Sequence, residues 1–234
     1  MCVHDNFHAL SLGVAIMLTT NKTFINHDFS NQDLKDTHFT QCNFYRCNFN
    51  RSDLTDVKFI ECKFIEQGTE GGCRFDYANL LDASFKGCRL SMSSFIGANC
   101  LGIEFRECDL KAADFSKASF ENQMSRQVYF CSAYITGCNL SYANFSGARL
   151  EECDLFENRW IGANLQGASL SKSDLSRSQF SEDAWEQFQM KGCDLTHTDL
   201  NGLNIRRVKL DGVKICDWQQ DQLLESLGII VLPS

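Results

Sequence analysis

Thirteen cysteines are the side chains of this 234-residue sequence with the most evident chemistry, since thiolates bind metal ions and paired thiols form disulfides. Zinc sites combine cysteines in short C-x-x-C pairs, or with histidines at fixed spacing. No C-x-x-C pair occurs here, and the histidines are scattered at His4, His8, His27, His38 and His197. The sequence therefore predicts neither a metal site nor a bound cofactor.

A disulfide framework is the other chemistry that many cysteines can indicate, and it is typical of small secreted chains. Here the cysteine count is odd, no Lys or Arg precedes Lys22, and no A-x-A-like cleavage site follows the first apolar run. We therefore expect reduced thiols and a cytoplasmic location. Residues 1–16 are expected to be an extension without a role in the fold, either a poorly ordered tail or an artefact of an upstream start, with Met17 as the true start.

Catalysis and nucleic-acid binding are both disfavoured by the sequence. It contains no convincing nucleophile triad and no glycine-rich phosphate-binding loop. The formal net charge of −8 would repel a phosphate backbone, whereas it suits a basic protein surface. The apolar part of the first sixteen residues is short for a membrane span. We therefore expect a non-enzymatic protein that binds neither nucleic acid nor a membrane directly.

Most of the cysteines follow a five-residue period, as in the segment "HFTQCNFYRCNFNRSDL" of residues 38–54. A large apolar residue, mostly Phe or Leu, recurs at every fifth position from Phe24 to Phe64, from Phe75 to Phe120 and from Ile135 to Ile215. Five residues fit neither the period of a helix nor that of an ordinary strand. Two positions before these centres the side chain is usually small, and nine cysteines lie there: Cys42, Cys47, Cys62, Cys73, Cys88, Cys108, Cys138, Cys153 and Cys193.

With Asp or Asn often just before the centre, the pattern A/C-D/N-L/F-S/x-x resembles the pentapeptide-repeat family. The resemblance implies an all-β fold: a right-handed quadrilateral β-helix, one repeat per side, with centres and small residues pointing inward. A solenoid is also what the physics requires, because one five-residue side cannot bury its apolar group without a neighbouring coil. We assign residues 17–216 to this rod, about 43 Å long at a coil spacing of ~4.8 Å. Residues twenty apart should stack, as with Cys42 on Cys62 and Cys88 on Cys108.

Two segments interrupt the period, and we predict that they project as loops, residues 65–72 and 121–132. An exposed loop can be a harmless insertion or a binding site on a rigid scaffold. Phe130 could still occupy a centre, which would shorten the second loop. The loop residues are Ile65, Glu66, Gln67, Gly68, Thr69, Glu70, Gly71 and Gly72, and Glu121, Asn122, Gln123, Met124, Ser125, Arg126, Gln127, Val128, Tyr129, Phe130, Cys131 and Ser132.

Residues 217–234 depart from the repeat and are predicted to form a short helix, with Gly228 as its C′ residue, followed by an apolar segment. The open end of a solenoid needs a cap. If this segment only caps the rod, the protein is a monomer; if it also pairs with a second copy, it is a symmetric homodimer. Its candidate dimerisation residues are Trp218, Leu223, Leu224, Leu227, Ile229, Ile230, Val231 and Leu232.

Longer irregular segments of the sequence resemble one group of proteins within the pentapeptide-repeat family. They are "GIEFRECDLK" (102–111), "YFCSAYITGCNLSYANFS" (129–146), "CDLFENRWIGANL" (153–165), "SDLSR" (173–177) and "GVKICDWQQDQLLESLGIIVLP" (212–233). Together they resemble the Qnr quinolone-resistance proteins. That resemblance implies non-enzymatic binding to DNA gyrase and topoisomerase IV, protection of both from fluoroquinolones, dimerisation through the C-terminal segment and a role for both loops.

The resemblance leaves two mechanisms open. The acidic rod could imitate duplex DNA on the enzyme, or the loops could help to eject the drug from the drug–enzyme–DNA complex. Acidic and basic residues are interspersed on the predicted outer surface, which is unlike the uniform charge of DNA and therefore favours the mechanism in which the loops act. The repeat alone would also fit a structural scaffold that has no topoisomerase partner.

Overall fold

Residues twenty positions apart in the sequence lie side by side on neighbouring coils of the computed structural model, which describes residues 17–69, 71–125 and 128–230. The backbone of Leu18 pairs with His38, Thr23 with Asn43, Asp28 with Asn48 and Asp33 with Asp53, all in parallel. These four pairings mark the four sides of one coil. The chain is therefore a right-handed quadrilateral β-helix, which confirms the fold predicted from the five-residue period.

The regular elements are short, because each side of a coil offers only a few residues in extended conformation. The strands are β1 (Leu18–Thr20), β2 (Thr23–Ile25), β3 (His38–Thr40), β4 (Asn43–Tyr45), β5 (Lys58–Ile60), β6 (Ser84–Lys86), β7 (Ile103–Arg106), β8 (Glu121–Gln123), β9 (Tyr129–Cys131), β10 (Ala133–Thr136), β11 (Arg159–Trp160) and β12 (Gln179–Phe180). A six-stranded parallel sheet runs in the order β1-β3-β5-β6-β7-β10 along one side of the rod. Strands β2 and β4, and β11 and β12, form parallel pairs, whereas β8 and β9 are antiparallel.

Most corners of the coil are turned by the residue two positions after the centre, which adopts a left-handed backbone. Examples are Asn26, Asp36 and Asp56, with φ of 53°, 55° and 56°, and Gly97, with φ of 65°. Asn, Asp and Gly tolerate this conformation better than other residues. The Asp or Asn before the centre fixes the same turn, because its side chain accepts a hydrogen bond from the backbone N–H two residues on, as from Ser116 to Asp114 at 2.9 Å.

The interior of the rod is filled by the predicted centres, of which those from Phe29 to Leu200 are buried, except that Phe180 is half-buried. On one side the phenylalanine rings form an unbroken stack, with neighbouring centroids 4.5–4.9 Å apart. The rings are those of Phe29, Phe49, Phe75, Phe95, Phe115 and Phe145. Burying each such side chain contributes about 1.5–3 kcal/mol before entropic costs, so the stack is a major source of stability.

A column of thiols lies on the adjacent side of the rod, formed by Cys42, Cys62, Cys88, Cys108 and Cys138, all buried. The predicted stacking of Cys88 on Cys108 is confirmed, because the Cys88 N–H points at the Cys108 Sγ at 3.4 Å. Below Cys138 the same column continues with polar side chains. Asn158 accepts a hydrogen bond from the Cys138 N–H at 2.8 Å, and the Ser178 hydroxyl oxygen accepts one from the Asn158 N–H at 3.2 Å.

The C-terminal end of the rod is covered by a 3₁₀ turn, Asp217–Gln219, and the helix α1, Gln220–Glu225. The fully buried side chain of Gln219 prolongs the polar column: its amide donates to the carbonyl oxygens of Leu195 and Thr198 at 2.9 and 2.6 Å. Its own carbonyl accepts from the Cys216 N–H at 2.6 Å. Gln219 thus supplies to the last coil the partners that a further coil would have supplied.

We expect replacement of Gln219 by Ala to lower the free energy of unfolding by about 1–3 kcal/mol, because the buried Thr198 carbonyl and the Cys216 N–H would lose their partner. The Leu195 carbonyl would keep only its bond from the Thr198 N–H. Urea unfolding followed by circular dichroism measures this change. The matched control is Gln220→Ala, since Gln220 is the exposed next residue. Equal stability of the Gln219 variant and the control would contradict the capping role.

One coil departs from the regular pattern over residues 181–190. Phe188 occupies a position where the repeat normally places a small residue, yet it is buried beside Phe180, with ring centroids 5.6 Å apart. The chain bulges to admit it, so that the Gly167 N–H bonds to the carbonyl of Gln187. Half-burial of Ile205, Leu210 and Ile215 reflects their place in the last coil, which has no full neighbour.

Candidate interaction site

The two interruptions of the period leave the rod at opposite corners. Residues 65–72 lie between Phe64 and Phe75, which are centres of the second and third sides of one coil. Residues 121–132 lie between Phe120 and Ile135, which are centres of a fourth side and of the first side that follows. Phe59, Phe85 and Phe105 stack in successive coils, so the two segments also differ by about two coils, or ~10 Å, along the axis.

The first segment is a tight turn with few contacts. The Thr69 N–H and hydroxyl both donate to the Glu66 carbonyl, at 3.2 and 2.8 Å. The Glu66 carboxylate forms an ion pair with Arg46 on the coil before it. Ile65 is half-buried at the root, Gln67, Gly68 and Gly71 are exposed, and Glu70 lies outside the described residues.

The return of this segment to the rod depends on Gly72. The Gly72 N–H donates to the carbonyl of Met92 at 3.2 Å, and a Cβ atom at this position would lie 2.6–2.7 Å from atoms of Ser91 and Ser93. A larger residue would therefore push the chain off the next coil. The Cys73 N–H, bonded to the Phe64 carbonyl at 3.1 Å, closes the base of the turn.

The second segment forms an antiparallel hairpin, in which Glu121 pairs with Cys131, Asn122 with Phe130 and Gln123 with Tyr129. Near its tip the Met124 N–H donates to the Val128 carbonyl at 2.9 Å. Arg126 and Gln127 lie outside the described residues. The sequence leaves open whether Phe130 occupies a buried centre of the repeat. In the structure Phe130 lies on β9 and is 47% exposed. At the root, the half-buried Ser132 bonds to Phe120 and Gly102.

Large apolar side chains of the hairpin face solvent. Met124 is 72% exposed and Val128 55%, and Tyr129 and Phe130 are also exposed. Met124 and Val128 lie together at the tip, where their backbones are hydrogen-bonded, and exposed apolar side chains grouped on an otherwise polar surface are typical of protein contact sites. The hairpin, rather than the first segment, therefore carries the chemistry best suited to a protein partner.

Side chains of the rod wall hold the hairpin. The Arg149 guanidinium donates to Glu121 at 2.7 Å and lies over the Tyr129 ring, 4.4 Å from its centroid. The Tyr129 hydroxyl donates to Glu151 at 2.7 Å, and Glu151 also accepts from the Ser169 hydroxyl at 2.6 Å. The hydrogen bond to Glu151 raises the pKa of the Tyr129 phenol, and the one to Glu121 raises the pKa of Arg149. Both groups therefore keep their protons, and their role as donors, throughout the neutral range.

The C-terminal segment presents a second apolar surface. Trp218, Ile229 and Ile230 are exposed, Ile230 to 83%. Leu224 and Leu227 are half-buried on and just after α1, and Leu223 packs against the rod interior. Val231 and Leu232 lie outside the described residues.

Charges on the outer faces are mixed, as ion pairs between neighbouring coils show. Lys172 pairs with Glu152 at 2.6 Å and Arg177 with Glu157 at 3.0 Å. One corner is more uniformly acidic: Asp36, Asp56 and Asp82 are exposed and follow one another in successive coils. The hairpin leaves the rod at this same corner.

Within the described residues, no group of three or more His, Cys, Asp or Glu side chains is arranged to hold a metal ion. In the same part of the chain, no helix has the length and apolar character needed to span a bilayer.

We expect iodoacetamide to alkylate only Cys131 and Cys216 among the described cysteines of the native protein, because these two are half-buried and the others are buried. Burial also raises the pKa of Cys153 and Cys193 to about 12, which suppresses the reactive thiolate. Mass spectrometry of a Cys2→Ser variant, before and after unfolding in guanidinium chloride, counts the modified sites. Rapid native-state modification of Cys62 or Cys108 would contradict the closed thiol column.

Comparison with known proteins agrees with this geometry. The family profile described as pentapeptide repeats matches in eight copies, over residues 24–65, 88–122, 126–156 and 148–182. A pentapeptide repeat protein of Vibrio parahaemolyticus is 56% identical over 143 residues, which are 61% of this chain and 66% of that protein. The pentapeptide repeat protein QnrB4 of Escherichia coli is 57% identical over 91 residues, 39% of this chain and 42% of that protein. The matched segments thus span less than two thirds of either relative.

A solved structure matches over a larger share of the chain. A trypsin-treated form of QnrB1, described as a plasmid-mediated fluoroquinolone resistance protein, superposes with a TM-score of 0.85 at 42% identity. The match covers 92% of this chain and 100% of that one. The chain therefore belongs to the pentapeptide-repeat family and, within it, to the Qnr quinolone-resistance proteins.

Proposed function

We propose that this protein binds the type II topoisomerases DNA gyrase and topoisomerase IV and protects them from fluoroquinolones, without catalysing a reaction itself. The observation that carries the proposal is the hairpin of β8 and β9, which presents exposed Met124, Val128 and Phe130 from a rod of the QnrB1 type. A folded hairpin with an apolar tip is suited to enter a crevice in a protein partner. Because these topoisomerases act on chromosomal DNA, the proposed location is the cytoplasm.

The mechanism we propose depends more on the loops than on charge mimicry. Neighbouring coils bear paired opposite charges on several faces, which dilutes any imitation of a phosphate backbone. The acidic corner of Asp36, Asp56 and Asp82 is the exception, and it leads along the rod to the hairpin. We infer that this corner attracts the basic surface of the enzyme and that residues 65–72 and 121–132 make the specific contacts.

The proposed unit is a homodimer joined through residues 217–234. Exposed Trp218, Ile229 and Ile230 supply apolar surface at the end of the rod, where a second copy could extend the solenoid. Two rods of about 43 Å would reach ~86 Å, the length of about 25 base pairs of DNA at ~3.4 Å each. Light scattering after gel filtration should give twice the chain mass of 26.5 kDa. A mass equal to one chain would contradict the dimer.

Gyrase supercoiling in the presence of ciprofloxacin tests the proposed function. Relaxed plasmid, gyrase and an inhibiting amount of drug are incubated with increasing amounts of the protein. Recovery of supercoiled product is expected. Inhibition of supercoiling without recovery would point to DNA mimicry alone, and no effect at any concentration would favour a scaffold that has no topoisomerase partner.

A further inference from the structure

The hairpin of β8 and β9 has little support of its own. Each strand has three residues, and most of the hairpin side chains are exposed. An isolated two-stranded hairpin is marginally stable in water. Backbone hydrogen bonds fix its root, where Ser132 bonds to Phe120 at 3.1 Å and Gly102 to Ser132 at 2.7 Å. These bonds anchor both ends of the segment but leave its direction away from the rod undetermined.

The direction of the hairpin therefore depends on side-chain contacts with the rod, and the Arg149 side chain contacts both strands. Its ion pair reaches Glu121 on β8, and its guanidinium plane covers Tyr129 on β9. The second contact on β9, from the Tyr129 hydroxyl to Glu151, also comes from the same stretch of wall. The wall therefore contacts β8 at its root, through Glu121, and β9 at its end near the tip, through Tyr129, which pairs with Gln123.

Arg149 is well placed for this role because its backbone is part of the coil. It directly precedes the fully buried Leu150, and its backbone bridges to Ser169 on the next coil. Ser169 in turn holds Glu151. Arg149 and Glu151 are therefore the two side chains of the rod that oppose a change in the direction of the hairpin.

We propose that Arg149 is the positioning residue of the hairpin, which fixes β8 through Glu121 and β9 through Tyr129 so that the apolar tip is held in one pose. Arginine suits this role better than lysine, because its planar guanidinium donates to a carboxylate in a fixed geometry while lying flat on an aromatic ring. Lysine would keep the charge and lose the stacking. The consequence for topoisomerase protection rests on the proposed function, whereas the consequence for the hairpin does not.

The test compares Arg149→Ala and Arg149→Lys with Arg177→Ala. Arg177 forms an ion pair of the same kind with Glu157, at 3.0 Å, and is a matched control because it lies away from the hairpin and its removal changes the net charge equally. Hydrogen–deuterium exchange of amides 121–131 reports the hairpin, thermal unfolding reports the rod, and the supercoiling assay reports protection.

In Arg149→Ala we expect amides 121–131 to exchange about fivefold faster, with an unchanged midpoint of thermal unfolding. The protein concentration needed for protection should rise by a similar factor, with Arg149→Lys intermediate and Arg177→Ala like the wild type. Wild-type exchange of the hairpin in Arg149→Ala would overturn the inference, as would an equal effect of Arg177→Ala. Failure of the wild type to protect gyrase would overturn the proposed function instead, and the exchange rates would still decide the role of Arg149.

Discussion

Removal of residues 121–130 is expected to abolish protection of gyrase from ciprofloxacin while leaving the rod folded. Phe120 and Ile135 are fifteen positions apart, so this deletion restores the five-residue spacing of the repeat and places Ala133 in the small inward position. The deletion removes the exposed Met124, Val128 and Phe130, which are the proposed contact residues. The supercoiling assay measures the loss, and circular dichroism with thermal unfolding verifies the rod.

The matched control shortens the other segment in the same way. Phe64 and Phe75 are eleven positions apart, so deletion of 65–70 also restores the repeat spacing. Its polar turn presents less apolar surface, and we expect protection to be weakened rather than lost. Full protection by the variant lacking 121–130 would contradict the assignment of the hairpin as the principal contact.

Replacement of Phe95 by Ala is expected to lower the free energy of unfolding by about 3–5 kcal/mol. The Phe95 ring is fully buried, with centroids 4.9 Å from that of Phe75 and 4.7 Å from that of Phe115. In a solenoid each coil is stabilised only by its neighbours, so a cavity in the middle weakens both interfaces. Denaturant unfolding measures the change.

Phe130→Ala is the matched control for this experiment, because it removes the same atoms from a ring that lies on the exposed hairpin. Its cost should stay within about 0.5 kcal/mol, as for other exposed positions. Comparable destabilisation by the two substitutions would contradict the inward stack of phenylalanines.

The rod could be predicted from the sequence because its information is local and repeated. Each side of each coil poses the same demand: one large apolar residue inward, one small residue beside it and a turn-forming residue at the corner. The periodic centres therefore identify the core, from Phe29 to Leu200, and the stacking of Cys88 on Cys108 follows from the coil length. The pattern fails where a large side chain takes a small position, as Phe188 does.

Contacts between distant residues could not be predicted in the same way. Arg149 and Glu121 are 28 positions apart, and nothing in the local pattern distinguishes Arg149 from other outward arginines. The capping role of Gln219 could not be predicted either, because a glutamine in a terminal helical segment is normally exposed. Here its side chain is buried and completes the hydrogen bonds of the last coil. The interruption before Ile135 indicates an insertion in the repeat, but its sequence does not predict that the inserted residues pair as an antiparallel hairpin.

Photo-crosslinking from the hairpin tip tests the central claim most directly. Benzoylphenylalanine is placed at Val128 in one variant and, as a control, at Tyr142, an exposed aromatic residue on another corner of the rod. Irradiation in the presence of gyrase, DNA and drug should produce a covalent adduct from position 128 and little or none from position 142. A protein that still protects gyrase, yet forms its adduct from position 142 and none from position 128, would contradict contact through the hairpin.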